Sequence, residues 1–102
     1  MRTMCVFTDS RCLGHQAPPG YPERPARLAA VLDRLRRDHD VVEAGSHGAT
    51  EAAISTVHSQ EYLRRFAGAV ARADGLLDSA DNPLSPGTWD AALGAVEATL
   101  HA

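Results

Sequence analysis

Apolar residues recur at helical spacing in three stretches of this chain. Between Glu23 and Asp38 they fall at Leu28, Val31, Leu32 and Leu35, while Arg27, Asp33, Arg34 and Arg37 take the opposite side, the pattern of a helix with one buried face. Pro22 and Pro25 fit its first turn, where a missing amide proton costs little, and Glu23 there complements the helix dipole. Tyr62, Phe66, Ala69 and Val70 form a second stripe after Ser59, a candidate N-cap. Trp89, Leu93, Val96 and Leu100 form a third, predicted to open with Ser85 as N-cap and Pro86 at the first helical position. The three helices, near residues 23 to 38, 60 to 73 and 86 to 101, are expected to pack together through Leu32, Leu35, Phe66, Val70, Trp89 and Leu93.

Two shorter segments read differently. Met4 to Thr8 is a continuous apolar run ending at Asp9 and Ser10, which suits a buried parallel strand and places Cys5 in the interior. Val41 to Ala44 is a second, shorter strand followed by the loop GSHG, and Thr50, with Glu51 behind it, is predicted to cap a short helix through Ala53, Ile54 and Val57. Asp9 to Gly20 and Asp74 to Leu84 lack any period and are expected to be loops. The sum is a mainly helical chain, about four helices with one or two short strands, forming one module over residues 1–102.

Composition narrows what such a module does. A hydrophobic fraction of 44% with 23% charged residues fits a globular chain and not a disordered one. The net charge of -3 offers no basic face for nucleic acid, and the pairs Arg36–Arg37 and Arg64–Arg65 read as solvated helix surface. All basic residues except histidine are arginine and alanine is frequent, a bias expected of a GC-rich bacterial genome. No apolar run reaches the roughly eighteen residues of a membrane span and no signal-peptide core is present. A cytoplasmic location without membrane contact is expected, with Cys5 and Cys12 as reduced thiols.

Three segments carry a family resemblance: GYPERPARLAAVLDRL at 20–35, VHSQEYLRRF at 57–66 and NPLSPGTWDAALGAVEATL at 82–100. In this order and spacing they resemble the N-terminal portion of the histone deacetylase superfamily, the zinc-dependent deacetylases that include acetoin-utilisation and acetylpolyamine amidohydrolase proteins. The resemblance runs from Asp9 to Leu100 and implies an α/β fold of the arginase/deacetylase type, with a parallel sheet covered by helices. The loop DSRCLGHQAPPGYPERP resembles the family's first active-site loop, in which a histidine such as His15 precedes a His-Pro-Glu segment. Tyr21 stands where that segment has histidine, a departure. The resemblance implies that Arg24 points toward an internal channel, where a guanidinium donates to carbonyls or to a departing acetate; the plainer alternative is an arginine that caps a helix end or lies in solvent. It also implies that Asp78 and Asp81 border the mouth of the active site, against the alternative of a polar turn, and that His58 is structural. His39, His47 and His101 are expected to be exposed.

The same loop holds the candidate metal ligands. Cys12 and His15 are separated by two residues, and some relatives use cysteine and histidine from this loop for an additional structural zinc. A closed zinc site takes four ligands, so these two donors suffice only if a symmetric partner supplies the other pair. The family's catalytic zinc ligands and paired histidines lie beyond the last motif seen here. No cofactor is therefore expected for this chain, although the full-length family holds zinc. The leading expectation is a truncated deacetylase-like module, inactive alone, that works by self-association or protein interaction. The alternative is a subunit or fragment of a zinc-dependent deacetylase acting on acetyl-lysine or acetylpolyamine and completed by another polypeptide; a small metal-binding module on Cys12 and His15 is the third. The expected partner is a second copy or a complementary deacetylase polypeptide, with Val6, Phe7, Val96 and Leu100 at or beside the interface.

Overall fold

A strand, a helix and a second strand open the structure as one crossover unit. In this computed structural model, which describes residues 4–45 and 50–102, β1 (Cys5–Thr8) leads through a 3-10 turn (Ser10–Gly14) and α1 (Pro25–Asp38) to β2 (Asp40–Glu43). The strands pair in parallel, Cys5 opposite Asp40 and Thr8 opposite Glu43, and α1 is the crossover that parallel pairing requires. Then come α2 (Thr50–Ile54), α3 (Gln60–Ala71), an antiparallel hairpin of β3 (Leu76–Leu77) and β4 (Ser79–Pro83), and α4 (Thr88–His101). The described residues are mainly helical, as the periodicity predicts.

The helix ends show where local rules hold. Ser59 accepts a bond from the Tyr62 amide at 3.1 Å and caps α3. In α1, Arg36 and Arg37 sit in the last turn, where cations suit the carbonyl end of the dipole. Glu23, however, lies before the helix, since Arg24 is the N-cap with extended backbone. Ser85 does not cap α4. Its amide donates to the Thr88 hydroxyl at 2.7 Å and its carbonyl accepts from the Thr88 amide at 3.1 Å, so residues 85–88 close as a turn and the helix begins at Thr88 with Gly87 as N-cap. Thr50 is the first residue of α2, and its hydroxyl donates to Glu97 of α4 instead of capping.

The buried face of α4 is not the one that hydropathy selects. Thr88, Ala91, Gly94 and Glu97 are buried, whereas Trp89, Leu93 and Val96 are half-buried and Leu100 is exposed. Small residues decide this, because they let the helix approach the 3-10 turn and β1 closely: a Cβ on Gly94 would lie 3.0 Å from an Asp9 carboxylate oxygen. Phe66 and Trp89 meet edge-on at 5.2 Å and join α3 to α4 as expected. Leu32 and Leu35 do not share that cluster; α1 lies against β2 and the 3-10 turn, with Leu32 buried and Val31 exposed. Cys5 is exposed, contrary to expectation, because β1 is an edge strand with incomplete cover. Val57 is exposed beyond the end of α2. The segment expected to be a loop at 74–84 folds into the hairpin, turning at Asp78 with φ 68°.

The molecule is thin and extended for its size. Its extents are 45 × 35 × 17 Å and its radius of gyration is 14.9 Å, against about 13 Å for a compact chain of this length. The accessible surface is 6656 Å², where a monomer of this mass ordinarily exposes roughly 5,600 Å². The buried apolar side chains among the described residues are Leu32, Ala44, Ala69, Leu77 and Ala91, mostly small. None of the described helices is long and apolar enough to cross a membrane.

Candidate functional site

Asp9 anchors the loop that the sequence singles out. One carboxylate oxygen accepts from the Arg11 amide and Nε, both at 3.0 Å, and the other from Arg11 Nη2 at 2.8 Å, so the side chain caps the 3-10 turn and holds the arginine. The Arg11 hydrogen bond beside it holds the Asp9 carboxyl below its ordinary value of 3.8. Its folded pKa is thus lower than the unfolded one, and the stability it contributes is full above that ordinary value and lost as pH falls through the folded pKa. Asp9→Asn is expected to flatten the fall in stability below about pH 4, read from thermal unfolding across acid pH.

Past this anchor, Cys12, His15, Glu23, Arg24, Arg27 and Leu28 line a cavity of about 340 Å³ between the loop and the start of α1. His15 is its organised element. Nδ1 lies 2.8 Å from the buried Thr88 hydroxyl and Nε2 lies 3.3 Å from a Glu23 carboxylate oxygen. The Thr88 oxygen already accepts the Ser85 amide, and it lies 3.1 Å from the Ser85 hydroxyl. A hydroxyl has one proton to give. If Thr88 donates to His15 Nδ1, the ring carries its proton on Nε2 toward Glu23. If Thr88 donates to Ser85, His15 donates from Nδ1, and the Ser85 proton passes to the Gly14 carbonyl 3.4 Å away. Only the first satisfies both ring nitrogens, because in the second the unprotonated Nε2 faces the Glu23 carboxylate, acceptor against acceptor; among the described residues no buried side-chain polar atom lacks a partner.

The two loops also touch through their backbones. Gln16 donates its amide to the Ser85 hydroxyl at 3.0 Å, and Gly14 crosses Gly87 so closely that a Cβ on Gly87 would stand 2.3 Å from the Gly14 carbonyl oxygen. Sequence reasoning missed Thr88 and this crossing. The available signal was the Ser85-x-x-Thr88 spacing ahead of a helix, read instead as a simple cap.

The other candidate residues divide. Arg24 shares the cavity wall with His15, Glu23 and Arg27 and is exposed, and Arg27 donates to the Pro22 carbonyl at 3.5 Å. Asp78 and Asp81 are not in that wall. Asp78 pairs with Arg65 of α3, and Asp81 is exposed on β4 with its amide bonded to the Ser79 hydroxyl. The hairpin nonetheless reaches the loop through Tyr21, whose hydroxyl donates to the Ala80 carbonyl at 2.9 Å. His58 is exposed and stacks on Tyr62 at 5.1 Å. His39 is half-buried, a correction to its expected exposure, and His101 Nε2 lies 2.7 Å from the Gly45 carbonyl. His47 lies outside the described residues.

The donors present do not fit zinc. No group of three or more histidine, cysteine, aspartate or glutamate side chains converges among the described residues. Cys12 directs its sulfur to the Ala91 carbonyl at 3.6 Å, and burial pushes its thiol up, away from the thiolate that a metal requires.

Known proteins share most of this chain. A family model described as histone deacetylase domain matches residues 21–102, a span that includes Arg24, Asp78 and Asp81 but not Cys12 or His15. The "Uncharacterized protein slr0245" of Synechocystis sp. is 34% identical across an alignment 103 residues long that covers 95% of this chain and 34% of that protein. The chain therefore spans about a third of the length of the curated relative it matches. No solved structure gives a significant match.

Proposed function

This chain belongs to the histone deacetylase domain family, and we propose that it is a module of that domain which does not hydrolyse acyl amides by itself and acts by associating with other polypeptide. The observation that carries this reading is the surplus surface, 6656 Å² against roughly 5,600 Å² for a compact monomer. The difference, about 1,000 Å², is close to what one partner buries in a standard interface, about 800 Å². Hydrolysis of an acetamide needs an activated water and a group that stabilises the oxyanion. The described residues gather no metal set for the first, so no step through zinc is assigned to this chain.

A second reading has its own support. Arg24 and Arg27 in the cavity wall and His15 held between Thr88 and Glu23 suit a wall of an active site whose remaining residues come from a separate polypeptide. In that case the assembly would be a zinc-dependent deacetylase acting on acetyl-lysine or acetylpolyamine. One experiment addresses both. The purified chain is assayed for zinc content and for hydrolysis of acetyl-lysine and acetylpolyamine, alone and mixed with a polypeptide covering the remaining two-thirds of the Synechocystis relative. The expected result alone is no stoichiometric zinc and no turnover. Chelator-sensitive turnover by the chain alone overturns the proposal, and turnover that appears only on mixing decides for the second reading.

A further inference from the structure

Residues 17–24 form a short segment anchored at both ends. At one end His15 and Gln16 are held by Thr88 and Ser85, and at the other Pro25 begins α1. Three of these eight residues, Pro18, Pro19 and Pro22, are proline, whose fixed φ stiffens the backbone. The Tyr21 amide donates to the Pro18 carbonyl at 3.3 Å and closes a turn with Pro19 and Gly20 at its centre, Gly20 at φ 94°, the order of residues such a turn favours. Two side chains then tie the segment across to other elements. The Tyr21 hydroxyl donates to the Ala80 carbonyl at 2.9 Å, and a Glu23 carboxylate oxygen lies 3.3 Å from His15 Nε2. The hairpin that offers Ala80 is itself held fast. Asp78 pairs with Arg65, whose guanidinium lies 5.4 Å from the centre of the Tyr62 ring. Asn82 Nδ2 donates to the Leu77 carbonyl at 3.1 Å, and the Leu84 amide to the Gly75 carbonyl at 2.8 Å.

We propose that residues 17–24 are a flap over the cavity that holds Cys12 and His15, and that Tyr21 is its latch, with Ala80 as the fixed catch. With the latch closed, Glu23 and Arg24 stand in the cavity wall. When it releases, the proline-stiffened segment swings as one piece about its two anchors, withdraws Glu23 from His15 and lets solvent in. Arg24, Pro25 and Arg27 also line the outer hollow beneath the turn, so release joins the two spaces. The latch is one neutral hydrogen bond in an exposed place, weak enough to break often, which suits a gate and not a strut. Position 21 is where this chain departs from the histidine of the segment it resembles, and an imidazole is shorter than a phenol. The reach to Ala80 therefore belongs to this chain. The inference rests on the second functional reading, in which this cavity is part of an active site, and it names what governs entry to it.

The test reads access on the full chain, without turnover. The protein is alkylated with N-ethylmaleimide and the two thiols are followed separately by peptide mass spectrometry, Cys12 in the cavity wall and the exposed Cys5 as internal reference. Tyr21→Phe keeps the ring and removes the hydroxyl. It is expected to speed the reaction of Cys12 about fivefold, the equivalent of one ordinary hydrogen bond, to leave Cys5 unchanged, and to shift the His15 ring resonances as Glu23 withdraws. Gly20→Ala reaches the latch by another route. Its Cβ meets nothing within 4 Å, but φ 94° is strained for alanine, so the turn that aims Tyr21 loosens. It is expected to act in the same direction, and to add little once Tyr21→Phe is present. An unchanged Cys12 rate in Tyr21→Phe overturns the proposal. So does an acceleration that grows with urea as global unfolding does, since Cys12 is then reached by unfolding and not by the flap, and so does full multiplication of the two effects, which assigns them separate causes. Absence of turnover on mixing the two polypeptides would defeat the second functional reading and leave these rates standing, whereas an unmoved Cys12 would defeat the flap and leave the zinc and hydrolysis measurements standing.

Discussion

Replacing Gly87 by alanine is expected to part the loop that carries His15 from the start of α4. The new Cβ would stand 2.3 Å from the Gly14 carbonyl oxygen and 2.8 Å from its carbon. Both obstacles are backbone, so no side-chain rotation relieves them. The conformation of Gly87, φ -90° and ψ 0°, is open to alanine, which leaves the collision as the whole cause. Overpacking costs about 1–3 kcal/mol, and the upper part of that range is expected in urea unfolding. The His15 ring resonances should shift as its bond to Thr88 is lost. Gly14→Ala is the control, because a Cβ there meets nothing nearer than 3.8 Å. Equal destabilisation by the two substitutions would show that the crossing does not set the loop.

Thr50→Val is expected to have the next largest effect. Glu97 is the most deeply buried large side chain, at 1% exposure, and accepts the Thr50 hydroxyl across the contact between α2 and α4. Valine keeps the volume and removes the donor, so Glu97 loses the Thr50 hydrogen bond at a cost of about 1–3 kcal/mol. A double-mutant cycle with Glu97→Gln isolates the pair. A coupling near zero would assign Glu97's burial to its other contacts and not to Thr50.

The parts of the fold legible in the sequence are those decided within a few residues. The apolar run at β1, the Ser59 cap and the stripe of α3 are local, and the structure shows each near its expected place. α4 defeats such a reading because it carries two stripes. Hydropathy selects Trp89, Leu93, Val96 and Leu100, but close approach selects Thr88, Ala91, Gly94 and Glu97, and a scale that counts apolar atoms cannot register the value of a missing side chain. The hairpin is hidden for a related reason: it turns at Asp78 in the left-handed region and has no alternating pattern. For the site, family resemblance singles out His15 and Arg24, and the structure sets both on one cavity. Resemblance also puts Asp78 at the rim, and the structure pairs it with Arg65. Thr88 is invisible to local reading because its role depends on a residue 73 positions earlier.

A body only 17 Å thick has no region far from water in its short direction. Hydrogen exchange in compact domains is slowest where only global unfolding exposes an amide, and that class of amide requires depth. Here the β1–β2 crossover, the α3–α4 pair and the hairpin each meet their neighbours across a narrow seam, and none is enclosed by the others. The lone chain is therefore a set of semi-independent opening units more than a single cooperative one. The lone chain is accordingly expected to open in stages and not in one all-or-none step.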